Sequence, residues 1–241
     1  MAFSQQPRLT SPQWPLAIRP ESITMADPET TITVRNRPEP WHPLDYIVTD
    51  QNGATLFTVH GHPWGLTQRR VFCDASGLPL FELRSRWYDS LSLVLKLPGA
   101  GPSSESLLSA KCRVAVQAPR AVLCFRNAFA SSSATYTYRY QHMESHSHTR
   151  VPSTGHDNET VMEVLALDVD NLLQVAVVEN QRIACFERIT DLGVLAQGQK
   201  PPFRFRPMWR VRVARGVDLA LIAVAVVIVG QQVSEAGLAD G

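Results

Sequence analysis

The run "GVDLALIAVAVVIVG", Gly216 to Gly230, is the most apolar stretch of the chain, and where it lies decides the fold. Its uninterrupted apolar part spans eleven residues, Leu219 to Val229, between Asp218 and Gly230. As a helix it would reach roughly 16 Å at 1.5 Å per residue, against about 30 Å of membrane hydrocarbon. No lysine or arginine follows it, and "QQVSEAGLADG" is a polar, slightly acidic tail. A transmembrane span is therefore not expected. The β-branched residues Ile222, Val224, Val226, Val227, Ile228 and Val229 favour a strand. Asp218 as an N-cap, Gly230 as a stop and the length favour a helix. A helix apolar all round must be enclosed on every side. Burying its eight Leu, Ile and Val side chains would contribute on the order of 10–20 kcal/mol before entropy. A closed antiparallel barrel with this helix through its middle provides such an enclosure.

The segments before it supply the wall. Residues 1 to about 30 are rich in proline, serine and threonine without periodicity and read as a flexible arm. From there to Val213 the dominant period is two. "LSLVLKL" places Leu91, Leu93, Leu95 and Leu97 on one face, and "LLSAKCRVAVQ" does the same with Leu108, Ala110, Cys112, Val114 and Val116. "TYTYRYQ" alternates Tyr136, Tyr138 and Tyr140 with Thr135, Thr137 and Arg139. Turn signals such as "QNG", "ASG", "PGAG", "DVDN" and "ENQ" separate these runs, which points to antiparallel hairpins. Two polar stretches, Pro98 to Ser106 and Gln141 to Glu159, read as exposed loops, the second long enough to be partly disordered. A short repeat, "DQNGATLFTV" from Asp50 and "DASGLPLFEL" from Asp74, encodes a turn followed by a strand. In each copy the aspartate caps the turn and Gly53 or Gly77 supplies a positive φ.

Composition narrows the function classes. The chain has 241 residues and a formal charge of +1, which gives no general attraction to nucleic acid or membrane. Its four cysteines lie far apart and read as buried thiols. The first twenty residues are too polar for a secretory signal, and neither end carries a lipidation motif. "NET" at Asn158 matches a glycosylation pattern by chance.

Taken together, the paired D-x-x-G-x-x-L-F units, "RWYDSLSLVLKLPG", "RIACFERI" and "WRVRVARGVDLALIAVAVVIV" resemble the LURP-one-related family. That family belongs to the tubby C-terminal-like superfamily, with the tubby proteins and phospholipid scramblases. The resemblance covers about Thr33 to Gln232, and its most specific part is the closing strand, Gly-Val-Asp and apolar helix. It implies a mostly-β fold: a closed antiparallel twelve-stranded barrel around a buried hydrophobic C-terminal helix. The expected organisation is an arm over 1–30, the barrel domain over 31–232 and a polar tail over 233–241. Tubby proteins bind phosphoinositides, scramblases are linked to lipid movement, and plant LURP-one-related proteins are implicated in pathogen defence. This sequence lacks the scramblases' cysteine-rich palmitoylation cluster and long proline-rich arm, which sets it apart from lipid scrambling. The tubby phosphoinositide-binding pair is not carried over onto specific positions.

Among candidate sites, "KPPFRFRPMWRVRVARG" from Lys200 to Gly216 holds six basic residues and no acid, leaving about −5 on the rest of the chain. Arg204, Arg206, Arg210, Arg212 and Arg215 form an arginine ladder that either faces solvent or docks an anionic headgroup through guanidinium forks. Four or five such residues near an anionic leaflet give weak, salt-sensitive attachment, at about 1 kcal/mol each. "HGH" (His60, His62) and "HMESHSH" (His142, His146, His148) have metal-compatible spacing, but no four-ligand set is evident, and "HGH" reads as a strand end. Asp168 and Asp170 of "LDVDN" read as a hairpin turn. No nucleophile elbow, phosphate loop or zincin motif occurs. The expectation is a non-enzymatic binding or regulatory module without cofactor or metal. Its partner would be an anionic phospholipid or a protein, and its place cytoplasmic, peripheral at a membrane, or nuclear. The alternatives are a protein-interaction adaptor without lipid binding and a scramblase-like lipid mover.

Overall fold

The structure is a computed structural model describing residues 7–20, 24–36, 45–62, 69–86, 89–101, 103–114, 119–129, 159–168, 172–189 and 208–239. Among these residues twelve strands run in chain order. They are β1 (Thr30–Asn36), β2 (Tyr46–Asp50), β3 (Thr55–His62), β4 (Arg69–Asp74), β5 (Pro79–Arg86), β6 (Asp89–Lys96), β7 (Leu108–Val114), β8 (Pro119–Arg126), β9 (Glu159–Ala166), β10 (Leu173–Val178), β11 (Gln181–Ile189) and β12 (Met208–Val213). Each strand pairs antiparallel with its neighbours in sequence, and β1 pairs with β12 to close the barrel. Helix α1 (Leu219–Ala239) follows β12.

The alternation in the sequence is the alternation of the wall. Ile32 and Val34, Phe57 and Val59, Leu93 and Leu95, Leu108, Ala110 and Cys112, and Trp209, Val211 and Val213 are all buried. Leu97 departs from the expected face because it lies just past the end of β6, and it is 44% exposed. The side chains that the alternation turns inward meet α1, whose residues Leu219 to Val229 are each 7% exposed or less. An all-apolar helix has no polar face to turn to water, so the barrel surrounds it. Val116 and Tyr136, Tyr138 and Tyr140 lie outside the described residues.

The two D-x-x-G repeats fold into the same turn. Asp50 Oδ1 accepts the backbone N–H groups of Asn52 and Ala54, both at 2.8 Å. Asp74 Oδ1 accepts those of Ser76 and Leu78 at 2.8 and 2.9 Å. Gly53 and Gly77 take φ of 83° and 87°, the left-handed region where a side chain is strained. The bonds from the Ser76 hydroxyl and the Leu78 N–H hold the Asp74 carboxyl below its ordinary range.

Asp218 caps α1 as the sequence indicated: it is buried, and its Oδ1 accepts the Ala220 N–H at 3.0 Å and the Thr24 hydroxyl at 2.8 Å. Gly230 does not stop the helix, which continues through Ala239. A Cβ at Gly230 would sit 3.4 Å from Trp209 Nε1 and 3.6 Å from the Tyr46 hydroxyl. The missing side chain lets the helix pass close to the barrel wall.

Residues 7–20 and 24–29, expected as part of a flexible arm, pack against the end of the barrel where α1 begins. Leu16, Ala17, Ile18 and Ala26 are buried there. Backbone bonds tie the segment to the turn after β12: Leu16 N–H to Gly216 O at 2.9 Å, Ala26 N–H to Val217 O at 3.0 Å and Asp218 N–H to Leu16 O at 2.8 Å. Asn127, just after β8, completes the attachment. Its Oδ1 accepts the Ala17 N–H at 3.2 Å, and its Nδ2 donates to Pro15 O at 3.0 Å. These contacts rest largely on backbone groups, which leave no periodic pattern in the sequence.

Candidate functional site: the arginine face of β12

Alternation along β12 turns Trp209, Val211 and Val213 inward and leaves Arg210 and Arg212 on the outer wall. Arg215 follows in the turn, where Gly216 takes φ of 81°. These are three of the five arginines expected in the ladder; Arg204 and Arg206 lie outside the described residues.

Each of the three meets a carboxylate. Arg210 Nη1 lies 3.4 Å from Glu187 Oε2 on β11, its cross-strand partner. Arg212 Nη1 lies 3.4 Å from Glu29 Oε1, and its Nη2 donates to the carbonyl of Pro7. Arg215 Nε lies 3.0 Å from Asp27 Oδ1, with both side chains more than half exposed. The ladder is thus a row of paired guanidinium groups. Two of its acids come from the segment over the barrel end and one from the wall.

A second group of cations was not singled out in the sequence. Glu82 on β5 is fully buried on the outer wall between Arg69 of β4, whose Nη2 donates at 2.9 Å, and Arg84, whose Nε also donates to it. Burial alone would raise the Glu82 carboxyl. The Arg84 bond, the charges of Arg84 and Arg69 and the Gly99 N–H outweigh that and hold it below its ordinary range. Lys96, opposite Glu82 in register, donates to Gly101 O at 3.0 Å and Ser104 O at 2.8 Å, so the loop after β6 is tied to the wall. Alternation along β5 puts Arg84 beside Glu82, while register brings Arg69 and Lys96 to them, and register is not written in a single strand's pattern.

The remaining candidates have structural places. His60 and His62 lie at the end of β3, while His142, His146 and His148 lie outside the described residues. Among the described residues, no group of three or more His, Cys, Asp or Glu could hold a metal ion. Asp168 accepts the Leu172 and Leu173 N–H groups at 2.8 and 2.9 Å, closing the turn into β10; Asp170 lies outside the described residues. Cys73, Cys112 and Cys185 are buried free thiols. Burial pushes the Cys124 thiol up to about 11. A groove of about 530 Å³ lies at the barrel end between Ile18, Leu97, Leu107 and Arg126. Among the described residues, no helix is long and apolar enough to cross a membrane.

Comparison with known proteins bears on the family and the fold. The LURP-one-related family model matches residues 30–175, more than half of the chain. Protein LURP-one-related 9 of Arabidopsis thaliana is 37% identical over 57 residues, which are 24% of this chain and 29% of that protein. The chain thus matches less than a third of that relative's length. The X-ray structure of another Arabidopsis thaliana protein aligns with a TM-score of 0.50 at 17% identity, over 86% of this chain and 93% of that one. It shares the fold. The matched range begins with β1 and ends within β10, so β11, β12 and the buried helix complete the barrel beyond it. The chain belongs to the LURP-one-related family.

Proposed function

We propose that the protein is a non-enzymatic binding or regulatory module that docks on anionic phosphoinositide headgroups through the arginine face of β12. The observation that carries this reading is the outward placement of Arg210 and Arg212, followed by Arg215, over a wall whose interior is filled by α1. With the interior occupied, a ligand meets the protein on its outer surface. Guanidinium forks there suit phosphate oxygens, and each contributes about 1 kcal/mol near an anionic leaflet. Arg204 and Arg206, close by in sequence and outside the described residues, are proposed to add to the same attraction. The resemblance to the LURP-one-related family, which implies the superfamily that also holds the phosphoinositide-binding tubby proteins, points the same way.

A second reading, a protein-interaction adaptor without lipid binding, is favoured by exposed apolar side chains. Trp14 (51% exposed), Leu97 (44%) and Phe129 (39%) all belong to the barrel end where α1 begins. Liposome co-sedimentation separates the two. Retention on phosphoinositide vesicles is expected at low salt and is expected to fall about tenfold or more in R210E/R212E/R215E. Equal retention of the wild type and this variant rules out the arginine face. Indifference of both to the vesicles favours the adaptor.

A further inference from the structure

We propose that the segment over the barrel end regulates this face, with Asp27 and Glu29 occupying Arg215 and Arg212 until an anionic lipid headgroup replaces them. The proposal rests on the headgroup-docking reading and goes beyond it by naming how that site is held closed. The three ion pairs differ in origin. Glu187, the partner of Arg210, belongs to β11 of the wall itself. Asp27 and Glu29 precede or begin no more than the edge of the wall, and they reach the arginines from a segment added onto the barrel end.

That segment has two distinct kinds of attachment. Leu16, Ala17, Ile18 and Ala26 are buried and joined to residues 216–218 by backbone hydrogen bonds, which keeps the segment seated. The Asp27–Arg215 pair, by contrast, is more than half exposed on both sides; in the second pair Glu29 is 46% exposed, while Arg212 is 25% exposed and keeps a bond to the Pro7 carbonyl. Exposed pairs of this kind are weakly held and screened by salt. A carboxylate, like a phosphate, can accept from an arginine fork, but it carries less charge. A phosphoinositide headgroup can therefore displace the two carboxylates by side-chain movement alone, while Leu16 to Ile18 stay in place. The exchange needs no unfolding.

The test uses the full chain and vesicles of phosphatidylcholine with or without a few per cent of a phosphoinositide bisphosphate. D27N/E29Q keeps the shape of both side chains and removes their charge. Its apparent affinity for the phosphoinositide vesicles is expected to rise about tenfold over the wild type, and R212E/R215E in the same background is expected to abolish the gain. E105Q/E159Q neutralises two exposed acids elsewhere on the surface and controls for net charge. A rise of equal size in E105Q/E159Q overturns the proposal. Unchanged affinity in D27N/E29Q, with retention still lost in R212E/R215E, also overturns it and leaves the docking face standing. If neither the wild type nor D27N/E29Q is retained above the phosphatidylcholine background, the docking reading itself fails.

Discussion

Gly230 shows how one missing side chain positions a helix. Its absent Cβ faces Trp209 and Tyr46 at the distances of ordinary contact, so one methyl group fits and a longer chain does not. Replacement by alanine is expected to be neutral or to raise stability by up to about 1 kcal/mol, because glycine is a poor helix former. Replacement by leucine is expected to cost about 1–3 kcal/mol through overpacking against the wall. Thermal melts of G230A and G230L check both signs. The contrast explains what could be read from residues alone. Asp218 announces a cap by its chemistry and its place before an apolar run. Gly230 has the chemistry of a stop but serves as a close-contact position, and only the opposite wall reveals that.

The same lesson holds for elements. Strand alternation gave the inner face of β12 correctly, since burial is a property of one strand and its core. The partners of its arginines were not legible, because Glu187, Glu29 and Asp27 become neighbours only through register and through the path of the first segment. Arg69 meets Glu82 in the same manner, across β4 and β5, whereas Arg84, two residues along β5, shares the face of Glu82 by alternation alone. The Glu82 carboxyl is held below its ordinary range, so the pairing stabilises the fold above the unfolded carboxylate pKa near 4.3 and is lost as pH falls through the lower folded value. E82Q is expected to cost about 1–3 kcal/mol at neutral pH, discounted for the partial exposure of Arg69 and Arg84. Denaturant melts should show that deficit shrinking below about pH 4. A gap that stays constant down to pH 2 would contradict the charge argument.

For the molecule as a whole, the segment that composition marked as an arm is part of the closure at one barrel end. Removing residues 1–29 exposes the side chains against which Leu16, Ile18 and Ala26 pack and leaves backbone groups of residues 216–218 without their partners. A loss of about 3–6 kcal/mol is expected from the apolar burial alone. For a domain of this size that lowers Tm by on the order of 10 °C. Differential scanning calorimetry of the truncated and full chains checks it; an unchanged melt would show that the segment adds nothing to the fold. N127A should give a smaller drop, since it removes the bonds to Pro15, Ala17 and Phe129 but leaves the apolar contacts of the segment in place.

The pairing of β1 with β12 has a consequence for how the protein comes into being. The stave that shuts the ring is joined to the first one made, and the peg that fills it is synthesised after both. Neighbouring staves can pair as they are made, but a ribosome must deliver all of them before the ring can shut, and a ring that shut before the peg arrived would enclose nothing but water against oil. Assembly has to be late and collective, with a large share of its contacts between residues far apart in the chain. Nascent chains halted before Leu219 would present a greasy trough rather than a finished vessel, and the cell's chaperones would be their natural company.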